Sequence, residues 1–152
     1  MFIHQVCAAL EEAKVPYAIV GGYAVALHGA IRGTVDVDFV INWTLENLQK
    51  VEHVMKKLEL VSRIPINALL LFQKKDEYIK SKNLIAWNFY SPKNPSQQID
   101  LIINYDLHKS ESIPVHTQLG TIHILAKKPL IAMKRASGRP QDIVDVNALE
   151  DL

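Results

Sequence analysis

Two aspartates on alternate residues, Asp36 and Asp38, lie in the stretch DVDFVIN (36–42). Residues i and i+2 of a β-strand project from the same face, so these two carboxylates are expected side by side. Two close negative charges repel each other, and a shared cation would relieve that repulsion. Mg²⁺ is the hard cation that carboxylates usually hold together with substrate phosphates. A solvated strand end is the alternative, but Val37 and Phe39 indicate a strand of the core sheet.

A third carboxylate, Asp100, stands inside the apolar stretch QIDLII (98–103). If this strand neighbours the strand of Asp38, Asp100 can face the same pair. Three carboxylates at one place could hold two metal ions, one for a nucleophile and one for a departing pyrophosphate. Asp106 is the rival third carboxylate, but it follows the strand and is predicted to lie in a loop.

A glycine pair, Gly21–Gly22, follows the apolar stretch YAIV (17–20) and precedes a segment of helical composition. A strand that turns directly into a helix leaves free backbone N–H groups at the start of the helix. Such a helix start attracts anions, and glycine lets a phosphate approach the backbone closely. The alternative is a tight strand-to-helix turn that binds no ligand.

The elements that must position these residues follow from the spacing of apolar residues. Helices are predicted at 2–14, from the glycine pair to about Gly29, at 45–58 with Thr44 as N-cap, as two short helices within 63–83, from Pro129 to about Ala136, and from Pro140 onward with Ile143, Val146 and Leu149 buried. Strands are predicted at 17–20, 36–42, 84–91 and 97–104, and as a hairpin around Leu119–Gly120. This order predicts an α/β or α+β fold in a single domain, with a mixed β-sheet and helices packed against it.

The composition excludes several classes of protein. The 152 residues are 49% apolar and carry a formal net charge of +1, which favours a globular protein over a general nucleic-acid or membrane binder. The single cysteine, Cys7, cannot form an internal disulfide, so a cytoplasmic location is expected. We predict no secretory signal and no membrane span.

The order of these motifs resembles the nucleotidyltransferase superfamily of DNA polymerase beta. The stretch GGYAVALHGAIRGTVDVD (21–38) is most similar to the small bacterial branch near the AbiE abortive-infection toxins and the antibiotic nucleotidyltransferases. The stretch LIAMKRASGRPQDIVDVNAL (130–149) also resembles the C-terminal motif of that branch. The resemblance spans roughly residues 15–150 and implies one nucleotidyltransferase-like domain over 1–152.

The resemblance implies transfer of a nucleoside monophosphate from an NTP to an acceptor hydroxyl, with release of pyrophosphate. By matching positions, Asp36 and Asp38 would bind two Mg²⁺ or Mn²⁺ ions. Asp100 would bind the catalytic metal ion and help to deprotonate the acceptor. Gly21 and Gly22 would hold the β- and γ-phosphates. Such a reaction needs mainly positioning and charge stabilisation from the protein.

Three further residues are candidates for nucleotide binding. Arg32 and Thr34 precede Asp36 and could contact the triphosphate, with Arg32 as a surface residue in the alternative. Lys134 is either a phosphate clamp or a solvated side chain. The motif residues Arg139, Asp142 and Asp145 are read either as a structural ion-pair network or as part of the site.

The acceptor is not specified by the sequence. An RNA 3′ end, a protein side chain and a small hydroxylated molecule all fit the predicted reaction. Many relatives carry a further helical domain for the acceptor, so a homodimer or a partner protein is expected to supply that surface here. The competing hypothesis is a non-catalytic or regulatory NTP-binding module that acts as a toxin–antitoxin component.

Overall fold

The computed structural model describes residues 1–30, 33, 36–107 and 111–152. The helices of this part of the chain are α1 (Phe2–Glu12), α2 (Gly21–Leu27), α3 (Leu45–Lys57), α4 (Ala68–Gln73), α5 (Lys75–Lys82), α6 (Lys127–Ser137) and α7 (Pro140–Glu150). Its strands are β1 (Tyr17–Val20), β2 (Val37–Ile41), β3 (Val61–Ser62), β4 (Ala86–Tyr90), β5 (Gln98–Ile102), β6 (Ser112–Thr117) and β7 (Gly120–Leu125).

The strands form one mixed sheet in the order β3-β4-β5-β2-β1-β7-β6. The pairs β2–β5 and β1–β7 are parallel, whereas the other neighbouring strands are antiparallel. The expected α/β fold with a mixed sheet is therefore confirmed. Strand β5 reaches the centre of the sheet beside β2, although more than fifty residues separate them along the chain.

The core is built on the central strands. Phe39, Val40 and Ile41 of β2 are fully buried, which shows that both faces of this strand are covered. In β4, next to the edge strand β3, Trp87 is also fully buried, and its indole N–H donates to Ser62 Oγ at 2.8 Å. Both faces of the sheet are therefore packed at its centre, over residues 39–41 of β2.

Local sequence signals account for the helix boundaries. The predicted N-cap Thr44 accepts a hydrogen bond from the Asn47 N–H at 3.1 Å, which satisfies a free donor at the start of α3. Pro140 occupies the first turn of α7, as predicted, where its missing N–H costs nothing. None of the helices in the described part combines the length and apolar character that a membrane crossing needs.

One strand was missed, and one expected core residue is exposed. The short strand β3 was not predicted, because its two residues carry no periodic signal. Ile143 was expected in the core but is 57% exposed, whereas Val146 and Leu149 are buried as predicted. The inner face of α7 instead carries the aspartates 142 and 145, whose charges are paired inside the protein.

Candidate functional site

Asp38 and Asp100 stand side by side on neighbouring strands. The parallel pairing of β2 with β5 makes these two residues direct Cα partners, so their side chains leave the same face of the sheet. The pairing that the sequence left conditional is present in the structure.

The electrostatic environment of Asp38 is unfavourable for its negative charge. Burial in the first place, and then the negative charges of Asp100 and Asp36, raise the pKa of Asp38 to about 7. The positive charge of Lys134 acts in the opposite direction but does not offset these effects. The pair therefore provides hard oxygen ligands in a place that favours an added positive charge, which suits Mg²⁺ or Mn²⁺.

Asp36 contributes less directly to this group. It is exposed, lies just before β2, and acts on Asp38 through its charge. Within the described residues, no three His, Cys, Asp or Glu side chains are arranged as a ready metal-ligand group. The pair of Asp38 and Asp100 is thus the formed part of the predicted three-carboxylate site.

Gly21 is required by the position of Asp38. Its φ of +67° lies in the left-handed region, and a Cβ added there would overlap the Asp38 carboxylate. The cause is the antiparallel register, in which Val20 is the partner of Asp38 and the chain then turns directly into α2. Gly22 is buried in the first turn of α2. Their contact with phosphate stays a prediction.

We expect Gly21→Ala to lower the free energy of unfolding more than Gly138→Ala does. Both glycines have nearly the same φ, +67° and +66°, but the nearest atom to a Cβ at Gly138 is Arg135 O at an ordinary 3.6 Å. Both variants therefore carry the left-handed strain of about 1–3 kcal/mol, and only Gly21→Ala must also displace Asp38. Urea unfolding of the two variants measures the difference, and equal losses would contradict the steric role of Gly21.

A cleft of about 650 Å³ opens beside Asp38. Its polar part is formed by Gly21, Asp38, Lys134, Arg139 and Asp142. Its apolar part is lined by Ile85, Ile102, Tyr105, Pro129 and Met133. A ligand with a charged end and an apolar or flat remainder would match both parts.

Three solved structures share this architecture. The chain aligns with an antigenic nucleotidyltransferase-like protein from Paracoccidioides brasiliensis at a TM-score of 0.60 and 19% identity, covering 97% of this chain and 72% of that one. It aligns with ANT(2″)-Ia in complex with adenylyl-2″-tobramycin at a TM-score of 0.63 and 13% identity, covering 97% and 84% of the two chains. The lincosamide antibiotic adenylyltransferase LnuA, with lincomycin bound, gives 0.60 and 14%, covering 93% and 89%. The chain has a nucleotidyltransferase-like fold.

At these identities the likeness extends to the fold alone. No protein-family model matches the chain, and no curated protein matches its sequence at a significant level. The roles of individual residues in this nucleotidyltransferase-like fold must therefore be argued from its own geometry.

The Lys134 side chain is buried and forms ion pairs with two aspartates. It is 7% exposed, and its ammonium contacts Asp145 Oδ2 at 2.8 Å and Asp142 Oδ1 at 3.3 Å. The solvated alternative was therefore wrong. A role of Lys134 as a phosphate clamp stays a prediction. Its ammonium already pairs with two carboxylates.

The residues of the C-terminal motif form an ion-pair network between α6 and α7. Arg139 Nε donates to Asp142 Oδ2 at 2.8 Å, and Gln141 Nε2 donates to Asp145 Oδ1 at 3.0 Å. Burial raises the pKa of Asp142, but hydrogen bonds from Arg139 and Ser137 outweigh it, so the pKa lies below its usual range. The network has a structural role, and it also borders the cleft through Lys134, Arg139 and Asp142.

The remaining candidates have different outcomes. Arg32 and Thr34 lie outside the described residues. The rival carboxylate Asp106 accepts the Trp43 backbone N–H at 3.0 Å, which is a structural contact. Sequence reasoning missed Asn88, whose side-chain amide donates to Asp100 Oδ1 at 2.8 Å. Its only signal was a polar residue in the alternating stretch AWNFY (86–90).

Proposed function

We propose that this protein is a metal-dependent nucleotidyltransferase that transfers an NMP from an NTP to a hydroxyl acceptor and releases pyrophosphate. The observation that carries this proposal is the direct pairing of Asp100 with Asp38, which lines a cleft. Adjacent, partly buried like charges destabilise a fold unless an opposite charge compensates them, and a bound cation is the compensation that suits carboxylates. The nucleotidyltransferase-like fold supports the same reaction.

Asp36, Asp38 and Asp100 are the residues that would hold Mg²⁺ or Mn²⁺. The bound ions would neutralise the triphosphate and lower the pKa of the acceptor hydroxyl. In this proposal the protein contributes the paired strands that hold the carboxylates together. It also places the acceptor hydroxyl beside Asp100, which takes up the hydroxyl proton.

Nucleotide binding is proposed for Gly21, Gly22, Arg32, Thr34 and Lys134. Gly21 and Lys134 line the polar part of the cleft, where a triphosphate would meet the Asp38 carboxylate through its cations. The apolar part, with Ile102 and Met133, offers contact area to the uncharged remainder of a ligand.

The acceptor class is proposed from the two antibiotic-modifying proteins of similar fold. One was solved with adenylyl-2″-tobramycin and the other with lincomycin. We therefore place a small hydroxylated molecule first, followed by an RNA 3′ end and a protein side chain. We also propose that residues 1–152 act as one domain in the cytoplasm, with a homodimer or a partner protein completing the acceptor surface.

The test is incubation with each labelled NTP, Mg²⁺ or Mn²⁺, and the three acceptor classes in separate reactions. Label on one class, with stoichiometric pyrophosphate, would support the proposal. Binding of NTP without transfer to any class would instead favour a regulatory NTP-binding module of a toxin–antitoxin pair. Absence of both NTP binding and transfer would contradict both functions.

Asp38→Asn should have opposite effects on stability and on function. Removing one of two adjacent, partly buried carboxylates relieves repulsion, so the metal-free variant should unfold at a higher urea concentration than the wild type. The same change should weaken binding of NTP with Mg²⁺ and reduce kcat/KM at least about a hundredfold. Calorimetry and pyrophosphate release measure the two effects. A variant with wild-type turnover would exclude Asp38 from the site.

A further inference from the structure

A row of polar side chains crosses the sheet and extends beyond the two paired aspartates. In the antiparallel pair β4–β5, Asn88 is the direct Cα partner of Asp100, which in turn is the partner of Asp38. Residues directly opposite each other share a face of the sheet, so all three side chains leave the same surface. Asn88 belongs to none of the residue groups considered above for nucleotide or metal binding.

The two ends of the Asn88 amide are distinguished by their neighbours. Its oxygen accepts a hydrogen bond of 2.7 Å from Arg63 Nε, and its nitrogen donates to Asp100 Oδ1 at 2.8 Å. Arginine can only donate, and an ionised carboxylate can only accept. The amide therefore has one orientation that satisfies both neighbours, and a flipped amide would lose both bonds.

Arg63 is itself held in place. Its guanidinium lies 4.4 Å from the centre of the Tyr90 ring, and its backbone N–H donates to the Asn88 carbonyl at 3.0 Å. The backbone bond thus fixes the Arg63 main chain beside Asn88, and the Tyr90 ring fixes the guanidinium. Charge-assisted bonds of this kind are stronger than neutral ones, which makes the orientation of Asn88 well determined.

We propose that Asn88 is a positioning residue that fixes the Asp100 carboxylate for nucleotidyl transfer, with Arg63 setting the orientation of the Asn88 amide. Its bond engages one carboxylate oxygen of Asp100 and leaves the second oxygen for the site. The consequence for catalysis rests on the proposed function, whereas the contact itself does not.

Asn88→Ala should reduce kcat about tenfold and leave KM for the NTP within about twofold. A hydrogen bond to a charged group contributes on this scale, and the Asp100 carboxylate keeps its charge but loses its fixed orientation. Gln98→Ala is the matched control, because Gln98 also accepts from the Asn88 nitrogen at 3.3 Å and lies on the same face of β5. Gln98→Ala should keep kcat within about twofold.

Arg63 provides a second variant that does not disturb the centre of the sheet. Arg63 is exposed, so Arg63→Gln should fold normally. We expect it to reduce kcat by less than Asn88→Ala, and to have no additional effect in the Asn88→Ala background. Additive effects of the two changes would contradict an action of Arg63 through Asn88.

The contact can be tested without nucleotide or metal by NMR of the Asn88 side-chain amide, assigned by its loss in Asn88→Ala. We expect a shifted, slowly exchanging amide proton that moves toward the position of a solvated asparagine and exchanges faster in Asp100→Ala, where only the longer bond to Gln98 is left. An amide signal that Asp100→Ala leaves unchanged would overturn the inference, as would a wild-type kcat in folded Asn88→Ala. A protected amide in a protein that transfers to no acceptor would support the contact and overturn the proposed reaction.

Discussion

Asp100→Asn is expected to retain near-native NTP binding while transfer falls at least about a hundredfold, or roughly 2.7 kcal/mol of barrier. The substitution keeps the shape of the side chain, and the new amide oxygen can still accept the 2.8 Å bond from Asn88. What is lost is one negative charge beside Asp38 and the capacity to take up the acceptor proton. Binding should persist because the proposed triphosphate contacts lie with other residues. Calorimetry and pyrophosphate release separate the two quantities.

Asp106→Asn is the matched control for this experiment. It also replaces an aspartate near the end of β5, and its amide oxygen can still accept the Trp43 N–H, now bonded at 3.0 Å. We expect its transfer rate to stay within about twofold of the wild type. Full transfer by Asp100→Asn would remove Asp100 from the mechanism, and equal losses in both variants would show that the effect is not specific to the site.

The short-range part of the fold could be predicted from the sequence. The apolar stripes of α1 and α3, the N-cap Thr44 and the glycine turn after β1 each report on residues that are close along the chain. Such signals depend on periodicity within one element or on the residue type at its boundary. They therefore gave the element order correctly except for the short strand β3, with boundaries that differ from the structure by a few residues.

The neighbour relations of the strands are not contained in local periodicity. Asp100 was a conditional candidate because its use depends on β5 lying beside β2, which only the folded sheet establishes. Asn88 was missed for the same reason, since its value lies in its register with Asp100 and in its bond to Arg63. Sequence reasoning recognised the residues that resemble a motif and not the residue that holds one of them.

The error at α7 has an electrostatic cause. Hydrophobic periodicity assigns isoleucine to the core and aspartate to solvent, because aspartate is almost never fully buried unless it is paired. In this helix Asp142 and Asp145 are 1% exposed and Ile143 is 57% exposed. The pairing partner, Lys134, comes from the preceding helix, so the stripe of α7 alone could not reveal it.

Lys134→Met is expected to lower the free energy of unfolding by about 3–5 kcal/mol, the usual cost of removing one partner from a buried ion pair. Methionine has a similar length and is apolar, so packing is largely kept while the aspartates 142 and 145 lose their shared cation. Urea unfolding at neutral pH measures the change. Lys128→Met is the control on the same helix, because Lys128 is exposed and its loss should cost less than about 0.5 kcal/mol.

A second change tests whether charge causes the loss. In the Lys134→Met background, Asp145→Asn removes one of the two carboxylates that lost the ammonium and should recover part of the stability. If Lys134→Met is no more destabilising than Lys128→Met, the ion pairs do not hold α6 to α7.

The result also bears on nucleotide binding, because an ammonium 2.8 Å from Asp145 must leave or share that contact to reach a phosphate. NTP affinity should therefore be compared only between Lys134 variants that are shown to be folded, so that a lost clamp is distinguished from a lost fold.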